Sequence, residues 1–434
     1  MKRYLITSLI IGGGVVALVA ALYFLGAFRP AFEWLSEVYS SRGVVSGSTI
    51  RLRGLEIVVY TAAAFGMAWA IIDIAQVGHK VIVFLLVFVL AAGLSPTLAM
   101  YGVLFEPFSL LSAIFLASAA ALVYSGTEHG MRKRVLEGLL GSRVSHRKFL
   151  ELLEAKDPPE FAGVVREVTV VSCRLFNHEE MRGKVEPGEL TKMNNLFLRS
   201  VSTFLLSRGA YLDESSPDLV RVFFGILEDG TEHQKEGCSA ALELKSRLRN
   251  LSRECESRWF QKLHYGIGVS TGPAAVGVYG TRKQYFFGGT GEVADFSQRL
   301  AQANRRYGSE ILLSPKTYET VQAHFEFRPM DMIYDPESDL MTEVCELLAL
   351  EGSFSKEEAE RRDLFWKGLI YLREKKYDEA LDHLSRSRNP GVDDSPTAYF
   401  LALAQEGISS PEDSESAKVE DLTGKGHARL ISSM

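Results

Sequence analysis

Residues Gly266–Gly280 read GIGVSTGPAAVGVYG, and ten residues further on Gly291–Leu300 read GEVADFSQRL. The first segment, with the residues before it, predicts two strands, Leu263–Ser270 and Ala274–Tyr279. The second opens a predicted helix, Glu292–Tyr307, followed by what reads as a final strand, Ser309–Leu313. Upstream, the β-branched run Glu167–Cys173 predicts a strand. Pro187–Leu206 has helical periodicity, with Leu190, Met193, Asn194, Phe197 and Val201 on one side, and Gly209 ends it. Asp218–Phe224 predicts a strand paired through a turn to Gly209–Asp213, and Glu232–Arg249 a helix. Strands and helices mixed in this order predict one α+β domain.

The whole chain has 434 residues, room for two to four domains at roughly 150 residues each. With 47% hydrophobic and 24% charged residues and a mean hydropathy of +0.04, it is no disordered, collagen-like or polybasic nucleic-acid-binding chain. The average conceals a split. Nearly all long apolar runs precede residue 126, and most of the charge follows it. The net charge of -6 therefore says little alone. The nine histidines and four cysteines show no metal-ligand spacing. All four cysteines (Cys173, Cys238, Cys255, Cys345) fall in the polar half, which fits a reducing cytoplasm.

Residues 1–126 predict a membrane domain with about four transmembrane helices. Tyr4–Phe28 carries no charged residue and is long enough to cross a hydrocarbon core of roughly 30 Å. It is too long for a typical signal-peptide core, and further spans follow at Ile57–Val77, Val81–Met100 and Pro107–Tyr124. Four spans put both termini on one side, with Lys2-Arg3 and Arg132-Lys133-Arg134 together inside. The expected location is the inner membrane, multi-pass, with the C-terminal part cytoplasmic. The connection 29–56 is the exception, because it would lie outside and yet carries Arg29, Arg42, Arg51 and Arg53. Asp73 is expected at the interface near His79 and Lys80.

Residues 127–160 predict a helical linker, in two pieces stopped by Asp157-Pro158-Pro159. Residues 357–407 predict helices, with Gly368, Tyr371, Ala380 and Leu384 at tetratricopeptide-like positions and Asn389-Pro390-Gly391 as a break. One repeat and a fragment is fewer than the three a free solenoid needs. Two readings stay open: a helical hairpin packed on the preceding domain, or a repeat that binds a protein partner. Residues 408–434 have the composition of a disordered tail. The predicted fold class is an α-helical membrane domain, an α+β domain of mixed sheet and flanking helices at 161–350, and an α-helical tail.

Five ordered blocks, covering about residues 145–350, resemble the class III adenylate/guanylate cyclases. GIGVSTGPAAVGVYG is similar to that family's glycine-rich hairpin and GEVADFSQRL to its G-D-x-V-N-x-A-x-R-L helix. Arg166–Phe176 (REVTVVSCRLF) resembles the opening strand, Pro187–Phe197 (PGELTKMNNLF) the first helix, and Ser216–Gly225 (SPDLVRVFFG) the strand at the second metal aspartate. The helical tail with Asp393-Asp394-Ser395-Pro396 also resembles that of bacterial members. The order of spans resembles members with a CHASE-type external sensor, but residues 29–56 are too short for one.

The resemblance implies closure of a ribose 3′-oxygen onto the α-phosphate of ATP or GTP, at a homodimer interface, with Mg²⁺ or Mn²⁺ as cofactor. The second metal aspartate corresponds to Asp218 and the first to Arg174, which cannot ligate a metal. The catalytic arginine corresponds to Arg299, and the ribose-orienting asparagine to Asp295. The base-reading positions are Glu214 and Gly288, the latter without a side chain. The phosphate loop reads Asn177-His178-Glu179, with an acid where phosphates would sit, and no lysine stands at Pro336–Ser338. These departures predict a membrane-bound family member with an impaired cyclase domain. The alternatives are an active cyclase, or a dimerisation or nucleotide-sensing module without turnover. No nucleic-acid partner is expected.

Overall fold

The structure is a computed structural model and describes residues 2–44, 50–74, 76–155, 161, 163–227, 232–281, 285–335, 340–389, 391, 394–409 and 429–430. The expected disordered tail, beyond the end of the last helix and residues 429–430, lies outside the described residues, as do Pro336–Ser338. The chain divides into two compact units, Met1–Leu139 with Phe149–Pro158, and Leu140–Lys148 with Pro159–Met434.

In the first unit α1 (Lys2–Phe24), α3 (Arg53–Asp73), α4 (Val77–Met100) and α5 (Pro107–Ser125) are long and apolar enough to cross a membrane. Small residues of α3 and α5, among them Ala64, Ala68, Ala113 and Ala117, are fully buried and let the helices approach closely. The first span ends at Phe24, not Phe28, because Gly26 turns the chain with φ +78°. The segment 29–56 is not a plain loop, since it contains α2 (Arg29–Ser41), begun by Pro30 in its first turn. Two of its arginines have acidic partners. Arg51 pairs with buried Glu56 at 3.1 Å, and Arg29 with Glu33 at 3.5 Å. Asp73 pairs with Lys133 Nζ at 2.9 Å, and Lys133 lies on α6 (Glu128–Leu140). A 3₁₀ turn (Gly141–Arg143) and α7 (His146–Glu154) complete the linker.

The second unit is built on one sheet: β1 (Val164–Leu175), β2 (Tyr211–Ser216), β3 (Leu219–Phe224), β4 (Tyr265–Gly280), β5 (Tyr285–Thr290), β6 (Ile311–Leu313), β7 (Phe325–Asp335), β8 (Leu340–Leu350) and β9 (Arg429–Leu430). Its order is β2-β3-β1-β4-β6-β8-β7-β9, with β5 paired to the second half of β4. The β4–β6 pair is parallel and the other pairs are antiparallel. α9 (Pro187–Ser207) and α10 (His233–Trp259) cover one face, where Phe197, Val201, Leu244 and Leu248 pack on Val171 and Cys173. α8 (His178–Lys184) and α12 (Pro315–Val321) are short connections.

Three expectations are corrected here. Leu263–Ser270 and Ala274–Tyr279 are one continuous strand, β4, paired to β1 from Tyr265 to Val276. The hairpin is made instead by β4 and β5, with Gly280 opposite Tyr285. Ser309–Leu313 is not the last strand, because β7 and β8 follow. α10 runs ten residues beyond Arg249, since Leu251 and Cys255 continue its buried stripe at helical spacing.

α11 (Glu292–Tyr307) lies against β4 and β1. A Cβ on Gly268 would come within 2.0 Å of the Ser297 carbonyl oxygen, and one on Gly266 within 2.3 Å of that of Ala301. Glycine is required at both places so that helix and strand backbones touch. α13 (Lys356–Arg373), α14 (Tyr377–Ser387) and α15 (Ser395–Ser409) pack on this domain, with Phe365, Leu384 and Phe400 in one core with Tyr307, Met330 and Val344. Gly368 lets α13 meet Leu384 of α14, since an added Cβ would lie 2.6 Å from Leu384 Cγ. The tail is anchored by Arg328, whose guanidinium joins Glu346 at 2.6 Å and Asp394 at 2.9 Å.

Candidate functional site

Side chains alternate between the two faces of a strand. In β1, Val171, Cys173 and Leu175 enter the core under α9 and α10, which sends Ser172 and Arg174 to the opposite face. There Ser172 Oγ shares a hydrogen bond of 2.7 Å with Ser297 Oγ of α11. Arg174 stands in register between Leu219 of β3 and Gly266 of β4. Asp218, in the turn that joins β2 to β3, is held against the end of β1 because its carbonyl accepts from the Leu175 N–H at 2.8 Å.

The two side chains meet. Arg174 Nη2 lies 3.4 Å from Asp218 Oδ2, while Ser216 Oγ donates to Asp218 Oδ1 at 3.1 Å. Both are about one-third exposed, Arg174 at 38% and Asp218 at 33%. A pair of divalent ions needs an anionic oxygen at each position. Here one carboxylate is present, and a guanidinium stands at the other position and pairs with it. This donor set does not fit a two-metal centre.

Next to this pair is a polar group that sequence reasoning reached only in part. A register shift in β2 between Leu212 and Glu214 leaves Asp213 as the bulged residue. Arg221 of β3 donates through Nε to Asp213 Oδ2 at 2.7 Å and lies 3.2 Å from Glu214 Oε2. Gln298 of α11 donates to Glu214 at 3.3 Å. Gly288 of β5 is close by, since a Cβ there would lie 3.7 Å from Asp213 Oδ1. Arg143 of the 3₁₀ turn donates to the carbonyls of Leu212 (3.2 Å) and Asp213 (2.6 Å) and lies 4.8 Å above the Phe286 ring. The structure thus brings the two expected base-reading positions, Glu214 and Gly288, to one place. It adds Asp213, Arg221, Gln298 and Arg143, which the sequence reading missed. The signal for the first two was an acidic dipeptide opposite an arginine in adjoining strands.

The remaining expected residues are placed as follows. Asp295 is exposed in the first turn of α11, where the unpaired N–H groups favour an anion. Arg299, one turn on, pairs with Glu292 of the same helix at 3.7 Å and lies 5.6 Å from the Phe296 ring centroid. Asn177 braces the chain before β4, donating to the Lys262 carbonyl at 2.7 Å and accepting from the His264 N–H at 3.1 Å. His178 is buried and lies 3.2 Å from Asn194 Nδ2, while Glu179 is exposed. Two clefts of the second unit, of about 440 and 620 Å³, are lined by other residues, among them Arg249, Glu310 and Ser395.

No family model matches the chain. Adenylate cyclase 1 of Rhizobium meliloti (strain 1021) is 21% identical to it over 165 residues, 38% of this chain and 25% of that protein. The terminal-differentiation-specific adenylate cyclase of Dictyostelium discoideum is 18% identical over 255 residues, 57% of this chain and 12% of that protein. The chain thus spans about a quarter and about an eighth of the length of these two curated relatives. Among solved structures, the adenylyl cyclase CyaB from P. aeruginosa aligns at a TM-score of 0.40 with 21% identity, over 45% of this chain and 100% of that one. With five motif blocks in family order and two curated adenylate cyclases similar to it, the chain resembles the class III adenylate/guanylate cyclases.

Proposed function

We propose that this protein is a membrane-bound signalling member of the cyclase family, acting in cyclic nucleotide signalling, with a catalytically impaired cyclase domain. The observation that carries the reading is the Arg174–Asp218 pair. Unit charges about 4 Å apart interact by ~4 kcal/mol at an effective dielectric near 20. A guanidinium in place of a metal carboxylate turns a term of that order from attraction into repulsion for a divalent ion. The position of the ribose-orienting donor is Asp295, and loss of one such donor costs about 2.7–4 kcal/mol in a barrier. A homodimer repeats both substitutions in each half-site. No Mg²⁺ or Mn²⁺ pair is held in this reading, and ATP or GTP is not turned over.

Lys2-Arg3 at the start of α1 and Arg132-Lys133-Arg134 on α6 support an inner-membrane topology with the second unit cytoplasmic. Exposed Val278, Tyr285 and Phe286 on the β4–β5 hairpin support pairing with a second copy. The packing of α13–α15 on the sheet domain supports an intramolecular role for the tail, in place of a free partner-binding repeat. Cyclic nucleotide formation by the whole protein in lipid nanodiscs, with ATP or GTP and Mg²⁺ or Mn²⁺, tests the reading. No product above the protein-free blank is expected, and sustained turnover overturns it.

A further inference from the structure

The first unit contains a buried charged cluster that plays no part in the reading above. It lies at the end of the bundle where α1 finishes and α3 and α5 begin. Glu56 of α3 is 1% exposed, yet four donors converge on it. Arg51 donates through Nε and Nη2 at 3.1 Å each, the Glu106 N–H at 3.1 Å, and the Tyr23 hydroxyl of α1 also donates. Glu106 is likewise 1% exposed, and its carboxylate caps α5, accepting from the N–H groups of Phe108 at 2.7 Å and Ser109 at 3.1 Å.

Among the described residues, the surrounding elements supply little compensating charge. α2 places Phe32 under Arg51, 4.2 Å from its guanidinium carbon, and Tyr39 beside Ser95 of α4 at 3.2 Å. Ser95 donates to the Phe105 carbonyl at 2.9 Å. α3 adds Tyr60, buried, and Arg53, exposed at its start. With both carboxylates ionised, the buried part holds two anions against Arg51. Burial pushes the Glu106 carboxyl up from its ordinary range, and the Glu56 charge pushes the same way, against the donors at Ser109 and Phe108.

We propose that Glu106 is a proton-binding site that governs how this end of α5 is seated. With the proton bound, the cluster is neutral and Ile50 stays paired to the segment before α5, through Ile50 N–H to Gly102 O and Leu104 N–H to Ile50 O, each 3.0 Å. Without it, a second buried anion faces Glu56 and this segment opens. α5 ends at its Gly126 cap and α6 starts two residues on, so the seating of its far end reaches the linker through that cap.

The sign follows from linkage. A carboxyl whose pKa is raised by folding contributes stability below its unfolded pKa and loses it as pH rises through the folded value. Hydrogen exchange of the whole protein in lipid nanodiscs, corrected for intrinsic rates over a pH series, reads it directly. Protection of segments 50–56 and 101–109 is expected to fall as pH rises, by about tenfold for each unit separating the two pKa values. Glu106→Gln should remove this dependence and hold the protected form, and Glu106→Asp should keep it. Glu37→Gln, at an exposed position of α2, should leave the profile unchanged. A flat wild-type profile overturns the proposal without recourse to any variant. So does a Glu106→Gln profile that still follows the wild type.

Discussion

Arg174 and Asp218, brought face to face by β1 and the β2–β3 turn, form an ion pair at 3.4 Å where the family resemblance implies two metal-binding carboxylates. The Leu175 N–H fixes the backbone of Asp218, and Ser216 Oγ orients its carboxylate. In the proposed reading, the charge at one of the two positions is opposite to the one the resemblance implies.

The pair itself contributes little to folding. Both side chains are about one-third exposed, and pairs of this kind are worth about 0–1 kcal/mol. Arg174→Met should therefore lower the unfolding midpoint of the second unit by no more than about 4 °C. A larger loss in thermal unfolding would make Arg174 a structural residue instead.

Gly268 should be intolerant of alanine. Its Cβ would meet two backbone atoms of α11, Ser297 O at 2.0 Å and Ala301 N at 2.5 Å, and neither can rotate away. The expected cost is about 1–3 kcal/mol or more. Gly188→Ala, where nothing lies within 4 Å, should be nearly neutral. Parallel thermal melts compare the two.

These glycines also mark what the sequence made legible. The ends of α11 and the run of β1 through Cys173 follow from periodicity and β-branched content. The one-strand path of β4 does not, because Gly272-Pro273 reads as a turn when its pairing to Glu167 and Val168 is unknown. β7 was hidden by Pro329, by two register shifts and by largely buried Arg328 and buried Asp331, which break its alternation. Their partners, Glu346, Asp394 and Tyr307, come from elements distant in the chain. In the candidate site, the identities of Arg174, Asp218 and Glu214 were readable. The convergence of Arg143, Arg221 and Gln298 on the same strand edge depends on a bulge that no local pattern announces.

Stability should fall on mild acidification through His233. Its Nδ1 lies 2.9 Å from Thr169 Oγ1, in a buried hydroxyl chain that continues to Thr271 and Thr317. Burial pulls its pKa down, with Lys316 adding and Glu167 opposing. Below the ordinary histidine range the unfolded chain takes up a proton that the fold resists, so stability is lost as pH drops. The unfolding midpoint should fall more between pH ~7.5 and ~5.5 in the wild type than in His233→Gln. Equal falls would exclude His233 as the source.

The tail anchor should be costly to break. Arg328 is 12% exposed and serves both Glu346 and Asp394, so Arg328→Met leaves two carboxylates without their cation. Loss of one partner of a buried ion pair costs about 3–5 kcal/mol. Limited proteolysis should then release α13–α15 at lower temperature than in the wild type. Unchanged proteolysis would mean that the shared core alone holds the tail.

The central claim is that the guanidinium of Arg174 has displaced divalent metal from this site. Mn²⁺ binding by the whole protein with saturating ATP or GTP, followed by electron paramagnetic resonance, tests it most directly. The wild type should retain no stoichiometric Mn²⁺ beyond that carried by free nucleotide. Arg174→Asp, which restores the second carboxylate, should raise Mn²⁺ affinity by at least about tenfold once solvent screening is allowed for. Two tightly held Mn²⁺ ions per wild-type site, lost in Asp218→Ala, would contradict the account.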